Sequence, residues 1–441
     1  MRSVPDSITT DAGPPLALPL AHFLVGLAFL AVGALVATSL ALGAGPPFAR
    51  LVAVHLLLVG WIALTIMGAM IQFVPVWSGV ELFDRRLAIA QLVLVGSGVP
   101  GFAVAFLLAR PAVAVGFAGI MVLGMLSFCL LLALTLNRAR PWDSTETHFA
   151  LAIAFLFVAT LLGFGAALEF RFDLFPIGPV GRPAVIGAHA TLAVFGGLVV
   201  TIVGALYQLG PMFTQHEPGP AAERFRRLEL VVMPAGVVVL ALGRLVGVPA
   251  VGRVGAAGVV LGMAIAFCLL LTHVRGATTG YSPMLPRYLA AGVLGVAWAA
   301  TASIGWASDP LSYSAWFGMP GIGPALLFGA IGFVVVGTLY HVIPFLIWLR
   351  GYSDLVGFEP VPMTDDLYHD GLARAELVTL LSGTGVLIVG ITLPVVIPPW
   401  ISAGLLLVGI GLFVTNMGWT VRIHAPSAIA VDRLRVSDRG G

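Results

Sequence analysis

The chain alternates between long apolar runs and short polar breaks along almost its whole length. Each run holds about 20 or more mostly apolar residues, the length that a helix needs to cross the roughly 30 Å hydrocarbon core of a bilayer. The breaks are rich in Arg, Asp, Glu and Pro, as is typical of the ends of membrane helices. The pattern predicts twelve transmembrane helices, at about residues 17–42, 50–75, 88–109, 112–137, 148–169, 184–212, 228–248, 254–274, 286–307, 319–348, 375–397 and 400–421.

Composition supports an all-α polytopic membrane protein and excludes several other classes. Of the 441 residues, 59% are hydrophobic and 10% charged, whereas a soluble domain has about 25% charged residues. One water-soluble core could not bury so many apolar side chains, so soluble enzymes, nucleic-acid binders and secreted disulfide scaffolds are excluded. Cys129 and Cys268 each lie in an apolar FCLLL run with no second Cys or His nearby, which argues against a disulfide framework or a thiolate metal site.

The charged residues lie mainly in the breaks and predict an orientation. All 22 basic residues are arginine; sixteen lie on the face that holds both termini and the loops after helices 2, 4, 6, 8 and 10, and six on the other. By the positive-inside rule both termini are cytoplasmic, and we expect the plasma membrane of a prokaryote. No Asp, Glu, Lys or Arg lies in the middle of a predicted span, which argues against a proton pump or an ion-coupled transporter.

Helices 2, 6 and 10 share one motif, in which the strings GAMIQFVP, GALYQLGP and GTLYHVIP follow an earlier glycine at the same distance. Gln72, Gln208 and His341 occupy the same place in it. Helices 1 and 5 open with His22-Phe23 and His148-Phe149, and helix 9 has Tyr288 in the corresponding place. The repeat predicts a single membrane domain of three four-helix units, at about 14–140, 141–278 and 279–421. The glycines favour close helix packing, and the Gln or His can simply polarise the helix end.

Histidines are the predicted chemical groups of the spans. His55 and His189 lie in the first turns of helices 2 and 6, near the outer face. A neutral imidazole in a dry helical bundle suits an axial haem ligand, because one hydrogen bond can hold its second nitrogen. The alternative is that each is a hydrogen-bonded packing residue.

A second site on the cytoplasmic side is a weaker hypothesis. His341 lies there, and the 17 residues from His55 to Gln72 span ~26 Å of helix, so one haem cannot bind both His55 and His341. A quinone or haem site around His341 would also use residues that map to this side; the alternative is that these groups are only solvated. The candidates are His22, His148, His216 and His273, with Gln72, Gln208, Tyr207 and Tyr340 as secondary polar positions.

The architecture resembles the catalytic subunit of the haem-copper oxidases, a superfamily that includes the nitric-oxide reductases. The resemblance rests on twelve helices in three arcs, an inward N-terminus, and HLLLVGWIALTIMGAMIQFVPVWSG in helix 2, with HATLAVFGGLVVTIVGALYQLGPMF in helix 6 similar in style. It implies that His55 is a low-spin haem ligand and places His189 on the helix that supplies a copper ligand. Helices 7 and 10 lack the family's histidines, so copper and reduction of O2 or NO by the family mechanism are not expected.

The leading hypothesis is a membrane protein that binds haem, most simply b-type, through His55 and His189. It would transfer electrons or bind O2 or NO in a respiratory-type complex, beside a redox partner such as a cytochrome, a cupredoxin or quinone. One alternative is a cofactor-free structural or quinone-docking subunit of such a complex. Another is a transporter of a small neutral solute.

Overall fold

The computed structural model describes residues 14–280 and 282–426 and contains, within them, twelve helices long and apolar enough to cross a membrane. The protein is therefore an all-α polytopic membrane protein that contacts lipid, as predicted. Both termini, with their predicted orientation, lie outside the described residues. We number the helices in chain order: α1 Ala17–Ala41, α2 Ala49–Ser78, α3 Arg85–Leu107, α4 Pro111–Arg138, α5 Ser144–Leu168, α6 Arg182–Thr214, α7 Pro220–Val246, α8 Pro249–Arg275, α9 Met284–Ser308, α10 Ala325–Gly351, α11 Asp370–Thr392 and α12 Pro399–His424.

The predicted helix boundaries are inaccurate at the starts of α7, α10 and α11. Helix α7 begins at Pro220 rather than near residue 228, and α11 begins at Asp370 rather than near residue 375. Both first turns carry charged side chains, which an apolar scan skips, yet Pro at the first position and an acidic residue in the first turn both favour helix. Helix α10 begins later than predicted, at Ala325, because Pro320 and Pro324 interrupt the preceding segment.

Helices α2, α6 and α10 form the centre of the bundle. In an apolar 18-residue stretch of each of these helices, 72%, 83% and 78% of the residues are buried, against 22–50% in the other nine. Each contains a π-helical segment, Leu56–Ala63, Leu192–Val199 and Ala325–Ile331, and each segment includes the first glycine of the repeated motif. Such segments are rare and often occur at functional sites. The division into three units stays a prediction.

Helices α7 and α8 pack with their backbones almost in contact. An added Cβ on Gly236 would lie 2.6 Å from the backbone nitrogen of Val259, and one on Gly255 would lie 2.1 Å from that of Leu240. Small residues allow this approach, which is a main source of helix association in lipid. The close packing positions the polar side chains that α7 carries into the bundle.

We expect Gly236→Ala to destabilise the protein by about 1–3 kcal/mol, because its methyl group must push the α8 backbone away. Gly165→Ala is the matched control, since nothing lies within 4 Å of a Cβ at Gly165, and it should be neutral or stabilising by up to about 1 kcal/mol. Unfolding of the detergent-solubilised protein measures both. Equal stability of the two variants would contradict the packing described for α7 and α8.

Candidate functional site

His55 lies in α2, directly before its π-helical segment, and its ring is partly exposed. Its Nδ1 lies 2.9 Å from the backbone oxygen of Leu51. A carbonyl oxygen can only accept a hydrogen bond, so Nδ1 must carry the proton. Nε2 is then left with its lone pair, and no described residue hydrogen bonds to it. The ring packs against Phe102 of α3, with 4.8 Å between ring centroids.

His189 has the same arrangement in α6. Its Nδ1 donates to the backbone oxygen of Ala159 in α5 over 2.7 Å, which again leaves Nε2 with a lone pair and no hydrogen bond from a described residue. The ring fits only because residue 163 is glycine: a Cβ on Gly163 would lie 2.6 Å from Cε1 of His189. Like His55, it comes shortly before the π-helical segment of its helix.

The fold brings these two predicted ligands together. The rings of His55 and His189 are close enough to interact electrostatically, although 134 residues separate them in the chain. An aromatic cluster continues from His55 along this end of the bundle, through Phe102, Phe106 and Phe170 with 4.7 and 5.2 Å between successive centroids. Flat apolar rings of this kind can contact the face of a porphyrin.

The predicted second site is not assembled as one cluster. His341 packs between Phe213 and Phe345, with ring centroids 4.2 and 5.8 Å away. At the two equivalent positions, Gln72 is buried and Gln208 exposed, so the shared motif position does not define one environment. His216 and His273 do lie together, with 5.9 Å between their centroids. The other candidates, His22 and His148, are bound elsewhere in separate buried pairs.

A central cavity of about 80 Å³ lies where α2, α6 and α10 meet. Its lining is almost wholly apolar and includes five sets of three residues at the spacing of the sequence repeat. Gln72, Gln208 and His341 do not line it, although a transporter with wet pores would be expected to use them. The sets are Thr65, Thr201 and Val334; Ile66, Ile202 and Val335; Ala69, Ala205 and Thr338; Met70, Leu206 and Leu339; and Phe73, Leu209 and Val342.

The spans are not free of buried charge, although the sequence shows none in the middle of a predicted span. Four charged side chains are buried inside spanning helices: Glu229, Arg244, Arg287 and Glu376. All four lie inside predicted spans and near a span end, where a charged side chain usually reaches the interface. The argument against proton chemistry that rested on uncharged spans therefore does not hold.

Three of these charges belong to a set of buried pairs in the half of the bundle nearer the arginine-rich loops, which we call the arginine-rich half. His22 pairs with Gln91, His148 with Glu229, and Arg287 with Glu376. In each pair the first residue packs against the second glycine of the motif, Gly68, Gly204 or Gly337. The second residue always stands seven positions before a glycine of the third helix of its predicted unit: Gly98, Gly236 or Gly383.

This set corrects one sequence alignment. Arg287, rather than Tyr288, occupies the place of His22 and His148, and Tyr288 corresponds to the phenylalanine that follows each histidine. Sequence reasoning missed Gln91, Glu229, Arg287 and Glu376, because partners are 69, 81 and 89 residues apart. The recurring glycine seven positions later is a signal that could have found them.

Two predicted tyrosines join these pairs. The hydroxyl of Tyr207 donates to Oε2 of Glu229 over 2.6 Å, and the ring of Tyr340 lies 4.3 Å from the Arg287 guanidinium carbon. The first predicted unit has Ile71 at the equivalent position. Tyrosines therefore occur only where the pair contains a carboxyl group.

Arg244 is buried near His189, at the other end of α7. Its guanidinium donates to the backbone oxygens of Pro310 and Trp316, each over 3.0 Å, and to the hydroxyl of Thr191 over 2.6 Å. These acceptors are all neutral. They link the loop before α10 to α6 and α7, next to the turn that carries His189.

No family model matches this chain, and a search of curated proteins also finds no match. Among the residues that the structure describes, no group of three or more His, Cys, Asp or Glu is placed to hold a metal ion. A function must therefore be argued from the two clusters themselves: His55 with His189, and the buried pairs of the arginine-rich half.

We expect Arg287→Leu to destabilise the protein by about 3–5 kcal/mol, because it leaves the Glu376 carboxylate buried without its partner. The double variant Arg287→Leu with Glu376→Leu should recover much of this loss, since two apolar side chains need no partner. Denaturant unfolding of the solubilised wild type, Arg287→Leu, Glu376→Leu and the double variant gives the four free energies. A double variant as unstable as the sum of the two single variants would show that the pair is not coupled.

Proposed function

We propose that this protein is a haem-binding integral membrane protein with the plan of a haem-copper oxidase catalytic subunit. It transfers electrons or binds a diatomic gas, O2 or NO, within a respiratory-type complex. The single observation that carries the proposal is that His55 and His189 lie near enough to interact electrostatically and share one hydrogen-bond arrangement. Both are neutral imidazoles with Nδ1 held by a backbone oxygen and Nε2 left for a metal.

The two histidines have the donor chemistry that haem iron requires. Haem proteins commonly use a neutral imidazole nitrogen as axial ligand, and a hydrogen bond from the other ring nitrogen sets the tautomer and orientation. Leu51 and Ala159 supply those hydrogen bonds through their backbone oxygens. Haem bound here would supply one-electron transfer and, with an open axial position, gas binding.

The surroundings support a non-covalent, b-type haem. Covalent attachment of c-type haem uses a C-x-x-C-H sequence, and the two cysteines of this chain are far apart. Phe102 and Phe106 offer apolar contact beside His55, and Gly163 makes room for the His189 ring itself. The guanidinium of Arg182 lies 4.5 Å from the ring centroid of Phe170. It would provide a cation at the same end of the bundle for the carboxylates of a bound haem.

Coordination number separates the two roles. Iron bound by both His55 and His189 would have no free axial position and would act as an electron carrier. Iron bound by one of them could also bind O2 or NO, and the apolar central cavity of about 80 Å³ would admit such molecules, since apolar cavities take up small apolar ligands. The redox partner in this proposal is a cytochrome, a cupredoxin or quinone.

The proposal also includes the membrane in which the protein lies and its orientation there. The excess of arginine on one face supports a plasma membrane of a prokaryote with that face cytoplasmic. The His55 and His189 pair then lies toward the outer face, where a soluble electron carrier outside the cell can reach it.

Reduced-minus-oxidised absorption spectra of the purified protein test this function. We expect a Soret band and α/β bands of low-spin b-type haem, and loss of haem or conversion to a high-spin spectrum in His55→Ala and in His189→Ala. His369→Ala is the matched control, because the His369 side chain is exposed in a loop, and should leave the spectrum unchanged. Carbon monoxide added to the reduced protein distinguishes a gas-binding iron from an electron carrier.

Two results would overturn the proposal. One is a haem-free protein after expression with ample haem. The other is a Soret band that neither His55→Ala nor His189→Ala alters, which would place any haem elsewhere.

A further inference from the structure

We propose that His148, Glu229 and Tyr207 bind one exchangeable proton, and that His273 and His216 connect this site to the arginine-rich face. The inference goes beyond the proposed function and does not depend on haem. It rests on the hydrogen-bond pattern of the cluster, on its comparison with the two equivalent pairs, and on a small cavity beside it.

The hydrogen bonds show that the cluster must hold a proton. Nδ1 of His148 lies 2.6 Å from the backbone oxygen of Ser144 and must donate to it, because a carbonyl oxygen only accepts. Nε2 of His148 lies 3.0 Å from Oε2 of Glu229. A neutral histidine beside a carboxylate would then bring two lone pairs together, so one proton must lie between Nε2 and Oε2.

Burial decides where that proton is held. His148 and Glu229 are both fully buried, and the low dielectric of such a site favours neutral partners over two separated charges. Glu229 is therefore the protonated acid that donates to Nε2 of His148, while its Oε2 accepts from the hydroxyl of Tyr207. Loss of the proton leaves a carboxylate, and its return restores a neutral pair.

The equivalent pairs reach neutrality without a mobile proton. In the first, the Gln91 amide contacts Nε2 of His22, and both side chains are neutral. In the third, the permanent cation of Arg287 balances the carboxylate of Glu376. Only the His148 and Glu229 pair, of these three, has a charge that changes when one proton leaves.

The second observation is an acceptor without a partner. Oε1 of Glu229 is buried and receives no hydrogen bond from the described residues, as is also true of the corresponding oxygens of Gln91 and Glu376. Buried polar atoms normally have a partner in the protein or in bound water. In the His148 and Glu229 pair, which has a proton to exchange, Oε1 is the atom through which that proton can enter or leave by way of a water molecule.

A route from the loops leads toward this site. Tyr207 and His273 line a small cavity of about 10 Å³, close to the space that one water molecule needs. Nδ1 of His273 lies 3.3 Å from the backbone oxygen of His216, and the His216 ring stands 5.9 Å away. His273 lies eleven residues after a glycine that packs on the third helix of its predicted unit. At the corresponding positions the other two predicted units have Thr135 and Thr420.

Other charged groups around the cluster lie on its loop side. Arg226 lies 5.6 Å from the ring centroid of Tyr207 and forms an ion pair with Glu223, while Arg227 pairs with Glu223 as well. Glu217 interacts electrostatically with His273. From α5, α6 and α8, the titratable groups of this region are His148, Tyr207 and His273.

The route ends at Glu229. The next buried charged group on α7 is Arg244, 15 residues further and therefore ~22 Å along the helix. The α7 side chains buried between them are apolar or glycine. The site is consequently loaded from the arginine-rich face alone and is not a channel across the membrane.

Infrared spectroscopy during pH jumps tests the proposal. We expect the C=O stretch of a protonated carboxylic acid near neutral pH, a shift of that band in D2O, and its loss at alkaline pH. Glu229→Gln should remove the band. This variant recreates the His–Gln pair that His22 and Gln91 already form, so it is expected to fold.

Two further variants make the test specific. Gln91→Glu should add a second titrating band, because it converts the neutral first pair into a His–Glu pair. His273→Thr, the residue that both other units carry there, should slow the response of the Glu229 band to a pH jump by an order of magnitude or more. Arg253→Gln, at the other end of the bundle, is the control and should leave band and rate unchanged.

Three outcomes would overturn the inference. The first is the absence, at every pH, of a carboxylic acid band that Glu229→Gln removes. The second is an unchanged rate in His273→Thr. The third is proton leak through liposomes that Glu229→Gln abolishes, since the site is proposed to open to one face only.

Discussion

A polar group inside this bundle must meet its partner within the protein, because hydrocarbon offers none. Three pairs satisfy that requirement at the same place in the arginine-rich half: His22 with Gln91, His148 with Glu229, and Arg287 with Glu376. The two partners change together, so that each pair can be neutral. This constraint joins the first and third helices of each predicted unit and explains why charges survive inside spans that are otherwise apolar.

The two ends of the bundle consequently have different chemistry. Toward the arginine-poor face, His55 and His189 each give one nitrogen to a backbone oxygen and keep the other free, as a metal ligand requires. Toward the arginine-rich face, His148 uses both nitrogens in hydrogen bonds, and its partner Glu229 keeps a free oxygen. The same residue type is therefore a proposed haem ligand at one end and part of a proposed proton site at the other.

Hydropathy located all twelve helices because a span needs a long apolar run whatever surrounds it. Its boundaries were inaccurate at the starts of α7, α10 and α11, and it drew attention to uncharged span middles although charges are buried nearer the helix ends. Each buried charge is stable only beside a partner from another helix, and those partners lie 81 and 89 residues apart in the chain. A sequence window cannot detect such a pair. The repeated glycines can be seen in the sequence. The packing role of Gly98, Gly236 and Gly383 is shown only by the helix that lies against each of them.

The sequence by itself determined that the protein lies in lipid, how many spans it has and which histidines are candidates, since these follow from composition and from local runs of residues. It also singled out His55 and His189 and the motif that α2, α6 and α10 share. Only the tertiary structure decided that His55 and His189 lie near each other, that Gln72 and Gln208 differ in burial, and that Glu229 faces His148. The reason is physical: a side chain's chemistry depends on which neighbours replace water around it, and in this protein those neighbours come from distant helices.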